Sequence, residues 1–254
     1  MNIANAPAIV TGGASGLGEG TARMLAARGC KVAIFDLDED RGKKVAEELG
    51  GRFFKVDVTD EGAIMTALEE AAKAHGEARI CVNCAGIAPP AKVIDREGVP
   101  LPLEKFAKLI QINLIGTFNI CSKFAARIYD AEPDEEGQRG VIVNTASVAA
   151  FEGQIGQAAY AASKAGVAGM ALPIAREFAR YGIRVMTIAP GIFMTPMLAG
   201  LPQEAQDSLG TQVPFPSRLG KPEEYALLVS QIIDNPMLNA DVIRLDGAIR
   251  MAPR

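Results

Sequence analysis

The strongest constraint on the fold of this 254-residue chain is a regular alternation of short β-branched runs with longer segments of helical periodicity. Such alternation predicts right-handed βαβ units, whose parallel strands form a sheet covered by helices. Near-continuous apolar runs, such as residues 141–143, are typical of strands buried on both faces. We therefore predict an α/β fold: a single Rossmann-like, doubly wound parallel sheet of about seven strands with helices on both faces.

The predicted elements cover most of the chain. The strands are expected at residues 6–11, 31–36, 52–57, 79–83, 140–145, 183–189 and 241–245. The helices are expected at residues 16–28, 39–49, 61–75, 103–129, 157–181 and 222–234. No linker or low-complexity segment interrupts the pattern, so residues 1–254 are predicted to form one domain.

Two long loops follow the carboxyl ends of predicted strands, at residues 89–102 and 191–220. Open α/β sheets bind ligands at this edge, and long loops in compact domains are usually functional. Both loops are candidate substrate walls, and residues 191–220 are the predicted substrate loop. Their apolar side chains could form a flexible wall: Ile192, Phe193, Met194, Met197, Leu198 and Phe215.

Composition excludes several classes of function. The net charge of −4 gives no basic excess for nucleic acid or an anionic membrane surface. No uncharged apolar stretch is long enough to span a bilayer. The first predicted strand begins within a few residues of Met1, so we expect no signal or transit peptide and a cytoplasmic protein.

Histidine and cysteine content argues against two kinds of site. The single histidine, His75, leaves no obvious base for a Ser-His-Asp hydrolase. Cys81 and Cys84 have C-x-x-C spacing, but residues three apart on a strand face opposite sides of the sheet. No second Cys/His pair accompanies them, so we predict no metal site.

The first predicted strand ends in a glycine-rich turn, Thr-Gly-Gly-Ala-Ser-Gly-Leu-Gly, that leads into a predicted helix. Glycines let a pyrophosphate approach the helix N-terminus, where free N–H groups and the helix dipole favour anions. The spacing differs from G-x-G-x-x-G, so an ordinary tight turn is the alternative. We predict that a dinucleotide binds at Gly12, Ser15, Gly16, Leu17 and Gly18.

Asp36 ends the second predicted strand, near the spacing expected for an acid that binds the adenosine ribose. Its carboxylate would accept from the 2′-hydroxyl of NAD and repel the 2′-phosphate of NADP. We therefore predict NAD as the cofactor; a strand-capping role for Asp36 is the alternative. Residues after the third and fourth strands are expected to line the adenine and the middle of the cofactor: Asp57, Val58, Asn83, Ala85 and Gly86.

Ser147, Tyr160 and Lys164 are the predicted catalytic residues. Ser147 follows the fifth strand, and Tyr160 and Lys164 lie one helical turn apart. A free tyrosine is a poor base at neutral pH, but a nearby ammonium and the positive ring of oxidised NAD favour its phenolate. Tyr160 is therefore expected to remove a hydroxyl proton while Ser147 hydrogen-bonds the substrate oxygen.

These motifs together resemble the short-chain dehydrogenase/reductase family over essentially the whole chain. The matches are T-G-x-x-x-G-x-G at residues 11–18, N-x-A-G at residues 83–86, Asn113, Ser147, Tyr-x-x-x-Lys at residues 160–164, Pro190, Gly191 and Thr195. The resemblance implies that Asn113 anchors a water relaying protons to Lys164. It also implies cofactor contacts from Tyr160, Lys164, Pro190, Gly191 and Thr195.

Longer strings are similar to those of the type II 3-hydroxyacyl-CoA dehydrogenases. They lie at residues 137–140, 144–154, 156–160, 172–176, 212–220 and 242–251. The resemblance implies NAD-dependent oxidation of (S)-3-hydroxyacyl-CoA, a small-molecule substrate and a homotetramer. A 3-oxoacyl-(acyl-carrier-protein) reductase, a hydroxysteroid dehydrogenase and a non-catalytic dinucleotide-sensing protein are the alternatives.

Overall fold

The computed structural model describes residues 3–200 and 202–253. The described residues form a seven-stranded parallel sheet in the order β3-β2-β1-β4-β5-β6-β7. The strands are β1 (Pro7–Thr11), β2 (Lys31–Asp36), β3 (Arg52–Lys55), β4 (Ile80–Asn83), β5 (Gly140–Thr145), β6 (Ile183–Pro190) and β7 (Val242–Leu245). This is the predicted doubly wound order, with the seventh strand added beside the sixth.

Helices cover both faces of the sheet. They are α1 (Gly16–Ala27), α2 (Glu39–Glu48), α3 (Glu61–His75), α4 (Leu103–Ile110), α5 (Gly116–Ile128), α6 (Ala158–Phe178), α7 (Pro196–Ala199), α8 (Gln203–Thr211) and α9 (Pro222–Asp234). Leu25 of α1 and Val229 of α9 are buried against one face. Leu68 of α3, Phe124 of α5 and Ile174 of α6 are buried against the other. The α/β fold is confirmed.

The predicted helix at residues 103–129 is not one regular α-helix. A π-helical turn, Gln111–Ile115, separates α4 from α5. Asn113 lies in this turn, where its amide bonds both backbone groups of Ile87 at 2.9 Å. Hydrophobic periodicity does not register one extra residue in a turn, and such π-turns occur mostly at functional sites.

The fold creates a crevice beside β1. The chain moves from β1 to β2 and β3 on one side and then returns to β4 on the other. The connections after β1 and β4 therefore diverge at the carboxyl ends of these strands. Ligands bind at such a switch point in open α/β sheets.

Candidate active site

In the glycine-rich turn between β1 and α1, two glycines have no room for a side chain. Gly12 has φ +65°, and a Cβ there would lie 2.8 Å from the Ala85 nitrogen. A Cβ on Gly18 would lie 2.1 Å from the Gly12 oxygen. Ser15 precedes the helix without capping it through its side chain, which leaves the first-turn N–H groups for an anion. These residues fit a dinucleotide pyrophosphate.

Asp36 lies beside this turn and is held from both sides. Its Oδ2 accepts from the Ala14 N–H at 3.0 Å, and its Oδ1 accepts from the Asp38 N–H at 3.0 Å. A carboxylate can accept about four hydrogen bonds, so two acceptor positions remain. The carboxylate is thus fixed at the end of β2 with capacity for ribose hydroxyls.

The loop after β4 is tied to the same turn. The Ala85 N–H donates to Thr11 Oγ1 at 3.2 Å, and Thr11 Oγ1 donates to Asn83 Oδ1 at 3.4 Å. A Cβ on Gly86 would lie 3.6 Å from Lys164 Nζ. The N-x-A-G segment therefore lies between the glycine turn and the predicted catalytic lysine.

Asp57 and Val58 form a turn after β3. Asp57 Oδ1 accepts from the N–H and hydroxyl of Thr59 at 2.9 and 2.8 Å. The Val58 side chain is buried, and its carbonyl accepts from Asn119 Nδ2 at 3.0 Å. Both residues lie at the predicted edge of the sheet, and the Asp57 carboxylate and the Val58 carbonyl are already hydrogen-bonded within the protein.

The segment after β6 reaches back to the glycine turn. Pro190 ends the strand, and the Gly191 N–H donates to the Leu245 carbonyl at 2.9 Å. A Cβ on Gly16 would lie 3.8 Å from Thr195 Cγ2. Although Thr195 is far from Gly16 in sequence, the fold brings the two predicted cofactor residues together.

The catalytic candidates meet at the carboxyl end of β5. Ser147 hydrogen-bonds Tyr160, and its Oγ also accepts from the Ala149 N–H at 3.1 Å. Lys164 Nζ lies 5.9 Å from the centroid of the Tyr160 ring and donates to the Thr145 carbonyl at 2.8 Å. Ser147 and Lys164 are both buried.

Burial governs the protonation of this group in the protein without its cofactor. It raises the pKa of Tyr160, and the hydrogen bond from Ser147 only opposes the rise. Burial lowers the pKa of Lys164 to about 8. The expected lowering of the Tyr160 pKa by Lys164 is therefore not seen, because removing both groups from water disfavours both charged forms.

Asn113 lies beside Lys164 but has its side chain engaged. Besides its two bonds to Ile87, Nδ2 donates to Ser163 Oγ at 3.1 Å. The Thr117 hydroxyl donates to the Asn113 carbonyl at 2.7 Å. Both amide hydrogens of Asn113 are therefore engaged, and the side chain fixes the loop after β4.

A surface cavity of about 410 Å³ lies at the start of α6. The predicted loop at 89–102 contributes to its wall, and the segment before α6, which we had not predicted as a wall, supplies most of the rest. Its lining residues are Lys92, Val93, Ile94, Gly153, Gln154, Ile155, Gly156, Gln157, Ala158 and Ala161.

The predicted apolar wall in the loop at 191–220 is partly wrong. Phe193 is buried in the core beneath the loop, where it covers Gly220. Phe215 is 83% exposed. Met194 and Leu198 are half-buried, whereas the side chain of Met197 lies outside the described residues. The loop also contains α7 and α8, which we did not predict.

Fold and site together define a dinucleotide-dependent oxidoreductase of Rossmann type, and comparison with known proteins agrees. The short chain dehydrogenase family profile matches residues 6–206. The chain belongs to this family, whose dehydrogenases use a nicotinamide dinucleotide.

Proteins named 3-hydroxyacyl-CoA dehydrogenase type-2 are similar over nearly the full length. The human protein is 54% identical over 97% of this chain and 95% of its own, and the Drosophila melanogaster protein is 53% identical over 99% and 100%. The crystal structure of 3-hydroxyacyl-CoA dehydrogenase type-2 from Mycobacterium avium superposes with a TM-score of 0.95, at 44% identity and 98% coverage of both chains.

Among the described residues, no helix is both long and apolar enough to cross a membrane. The similarity to dehydrogenases of this family implies a small-molecule substrate.

Proposed function

We propose that the protein oxidises a secondary alcohol to a ketone with NAD, and that its substrate is an (S)-3-hydroxyacyl-CoA. The observation that carries the proposal is the grouping of Ser147, Tyr160 and Lys164 beside a glycine turn and a fixed Asp36. The names of the full-length relatives support the choice of substrate.

Each residue has a distinct role in this reaction. Tyr160 takes the hydroxyl proton, and Ser147 holds the substrate oxygen through its hydroxyl. Lys164 stabilises the Tyr160 phenolate, and the Asn113 carbonyl supports a water that returns protons to Lys164. Bound NAD accepts the hydride, and its positive ring supplies the charge that favours the phenolate.

Asp36 supports NAD over NADP as the cofactor. Its carboxylate is held by two backbone N–H groups, so it cannot easily swing away from a 2′-phosphate. Turnover with NADH should therefore exceed turnover with NADPH, and Asp36→Asn should narrow the difference. Equal turnover of the two cofactors by the unmodified protein would overturn the choice of NAD.

We propose a homotetramer from the exposed apolar surface of α5, α6 and the π-helical turn before α5. Ile115, Phe118 and Leu172 are each more than two-fifths exposed, and Gly169 faces open space. Small residues here allow another copy's helices to approach closely. Light scattering should give four times the chain mass, and a monomer would refute this.

A cytoplasmic location also stays a prediction, and the free thiols of Cys30, Cys81, Cys84 and Cys121 suit a reducing compartment.

The substrate is tested by following NADH absorbance with acetoacetyl-CoA, a hydroxysteroid ketone and simple ketones in parallel. We expect the highest kcat/KM with acetoacetyl-CoA. A higher value with the steroid, or activity only with acyl-carrier-protein substrates and NADPH, would replace the proposed substrate. No turnover of any ketone would favour a non-catalytic dinucleotide-binding protein.

A further inference from the structure

The residues after β7 fold back onto the segment that precedes the catalytic helix. We propose that Arg244 and residues 251–253 are positioning residues, which hold residues 152–157 in place as a wall of the substrate site. Two of the sequence strings noted above, at 144–154 and 242–251, contact one another here.

The first part of this contact is a network of charges centred on Arg244. Its guanidinium donates to both carboxylate oxygens of Glu152, at 2.8 and 3.2 Å, and to Asp246 Oδ2 at 2.7 Å. Arg250 lies 3.3 Å from the same two acids. The Arg244 guanidinium also lies 5.5 Å from the centroid of the Phe151 ring. Because this Arg–carboxylate pair is bidentate and only about a quarter exposed, it restrains Glu152 more than an ordinary surface pair would.

The second part is a set of hydrogen bonds to the backbone of the C-terminal residues. The Ile155 N–H donates to the Pro253 carbonyl at 3.0 Å, and Gln154 Nε2 donates to the Ala252 carbonyl at 3.0 Å. The Met251 N–H donates to Glu152 Oε2 at 3.1 Å. Three consecutive C-terminal residues thus bond residues 152, 154 and 155.

The held segment adjoins the predicted catalytic residues. Residues 153–157 line the cavity of about 410 Å³ and run directly into α6, whose first turn carries Tyr160. On its other side the segment is tied to the loop after β4, because the Ala91 N–H donates to the Gly156 carbonyl at 2.8 Å. Without the C-terminal contacts, the segment would depend on this hydrogen bond to keep its distance from the loop after β4.

Other residues of the stretch after β7 contact the loop that follows β6. The Phe215 N–H donates to the Gly247 carbonyl at 3.2 Å, and a Cβ on Gly191 would lie 2.9 Å from Asp246 Cα. The stretch from β7 to Pro253 therefore connects the segment before α6 with the loop after β6. Among the described residues, no backbone hydrogen bond joins it to the glycine turn, so its loss should affect substrate more than cofactor.

The test compares three variants with one control. Glu152→Gln and Arg244→Gln weaken the charge network, and a chain that ends after Met251 lacks the two carbonyls. Arg127→Gln is the control, because it breaks a bidentate pair with Glu77 far from the site, and Arg127, on α5, is as exposed as Arg244. Steady-state kinetics gives KM and kcat, and fluorescence titration gives the Kd for NADH.

Since ordering a loop on binding weakens affinity, we expect each of the three variants to raise the KM for substrate by about fivefold or more. We expect kcat and the Kd for NADH to change less than about twofold, as in Arg127→Gln. An unchanged KM in the shortened chain overturns the proposal, even if its Tm falls. A parallel rise of KM and of the Kd for NADH does so too, since it indicates general loosening. If Arg244→Gln does not fold, the KM of the shortened chain tests the proposal.

The inference rests on the proposed function only for the choice of acetoacetyl-CoA as substrate. If the unmodified protein does not reduce acetoacetyl-CoA, the proposed substrate fails at that point. The variants are then compared with the best ketone of the panel, and their KM values still test the positioning role.

Discussion

Lys164 is buried and Tyr160 is partly buried, and removal from water raises the Tyr160 pKa and lowers the Lys164 pKa. The proposed reaction requires the Tyr160 phenolate, and the positive charge of an oxidised cofactor would oppose the raised Tyr160 pKa. In the proposed mechanism, proton transfer is thereby coupled to cofactor binding, since Tyr160 is a weak base until the cofactor is present.

Removal of the Tyr160 hydroxyl tests its role as the base. Tyr160→Phe should lower kcat by about 10²–10⁴-fold, the usual contribution of a positioned acid–base group. The Kd for NADH, measured by fluorescence, should stay close to that of the unmodified protein. A variant that keeps its dehydrogenase activity would show that another group takes the proton.

Lys164 should make stability depend on alkaline pH. Its pKa is about 8 in the folded protein, against an ordinary value of 10.5 for lysine, so between these values the unfolded chain binds more protons. Stability therefore rises with pH through this window, and the cost of burying the ammonium is present in full only below it.

Urea unfolding of Lys164→Met and of the unmodified protein at several pH values measures this effect. The variant's advantage in unfolding free energy should shrink as the pH rises from about 8 toward 10.5. A difference that stays constant, or grows, would show that Lys164 is not held with a lowered pKa.

At the scale of elements, Tyr225 of α9 contacts Thr145, which in turn contacts the predicted catalytic lysine. This tyrosine is fully buried, and its hydroxyl lies 2.7 Å from Thr145 Oγ1. The Thr145 hydroxyl donates its one hydrogen to the Asn83 carbonyl at 2.6 Å, so it must accept from Tyr225. The main-chain carbonyl of the same Thr145 accepts from Lys164.

Loss of this bond should be visible in stability. Tyr225→Phe removes the donor and should lower the free energy of unfolding by about 1–2 kcal/mol. Because Thr145 also holds Lys164, the alkaline limb of the pH–kcat profile should move as well. Leu227→Ala, at an exposed position on the same helix, is the control and should change neither quantity. An unchanged profile would confine Tyr225 to a structural role.

The glycine turn gives a second prediction at this scale. In Gly18→Ala the new Cβ would lie 2.1 Å from the Gly12 oxygen, so the turn must open. The Kd for NADH should rise at least about tenfold, because the first-turn N–H groups lose their alignment. Titration of the variant beside Gly62→Ala, at a helical position of α3 where a Cβ meets only Asp60 Oδ1 at 3.3 Å, measures this. Equal affinity in both variants would exclude the turn as the pyrophosphate site.

Periodicity predicted the strands and most helices closely, since a sheet buried on both faces leaves a strong apolar pattern. It also placed Cys81 and Cys84 on opposite faces: Cys81 packs with Cys121 under α5, and Cys84 contacts Tyr225 of α9. The π-turn at Asn113 could not be predicted this way. It depends on a bond between the Asn113 amide and the distant Ile87 backbone.

At the scale of the whole molecule, the sequence predicted which side chains group together better than it predicted the walls around them. The glycine turn, Asp36 and the Tyr160 helix each have a local geometry that a motif captures. The cavity wall depends instead on which loops meet, and the C-terminal contacts of Gln154 and Ile155 join residues about 100 positions apart. Phe193 likewise looked like a wall residue, but Gly220 leaves room for its ring in the core.

The most direct test is an assay in which purified protein is incubated with NAD and either (S)- or (R)-3-hydroxybutyryl-CoA. The formation of NADH is followed by its absorbance. We predict NADH from the (S) substrate, much less from the (R) substrate, and almost none in Tyr160→Phe. No NADH from the (S) substrate, or equal amounts from the unmodified protein and Tyr160→Phe, would contradict the account.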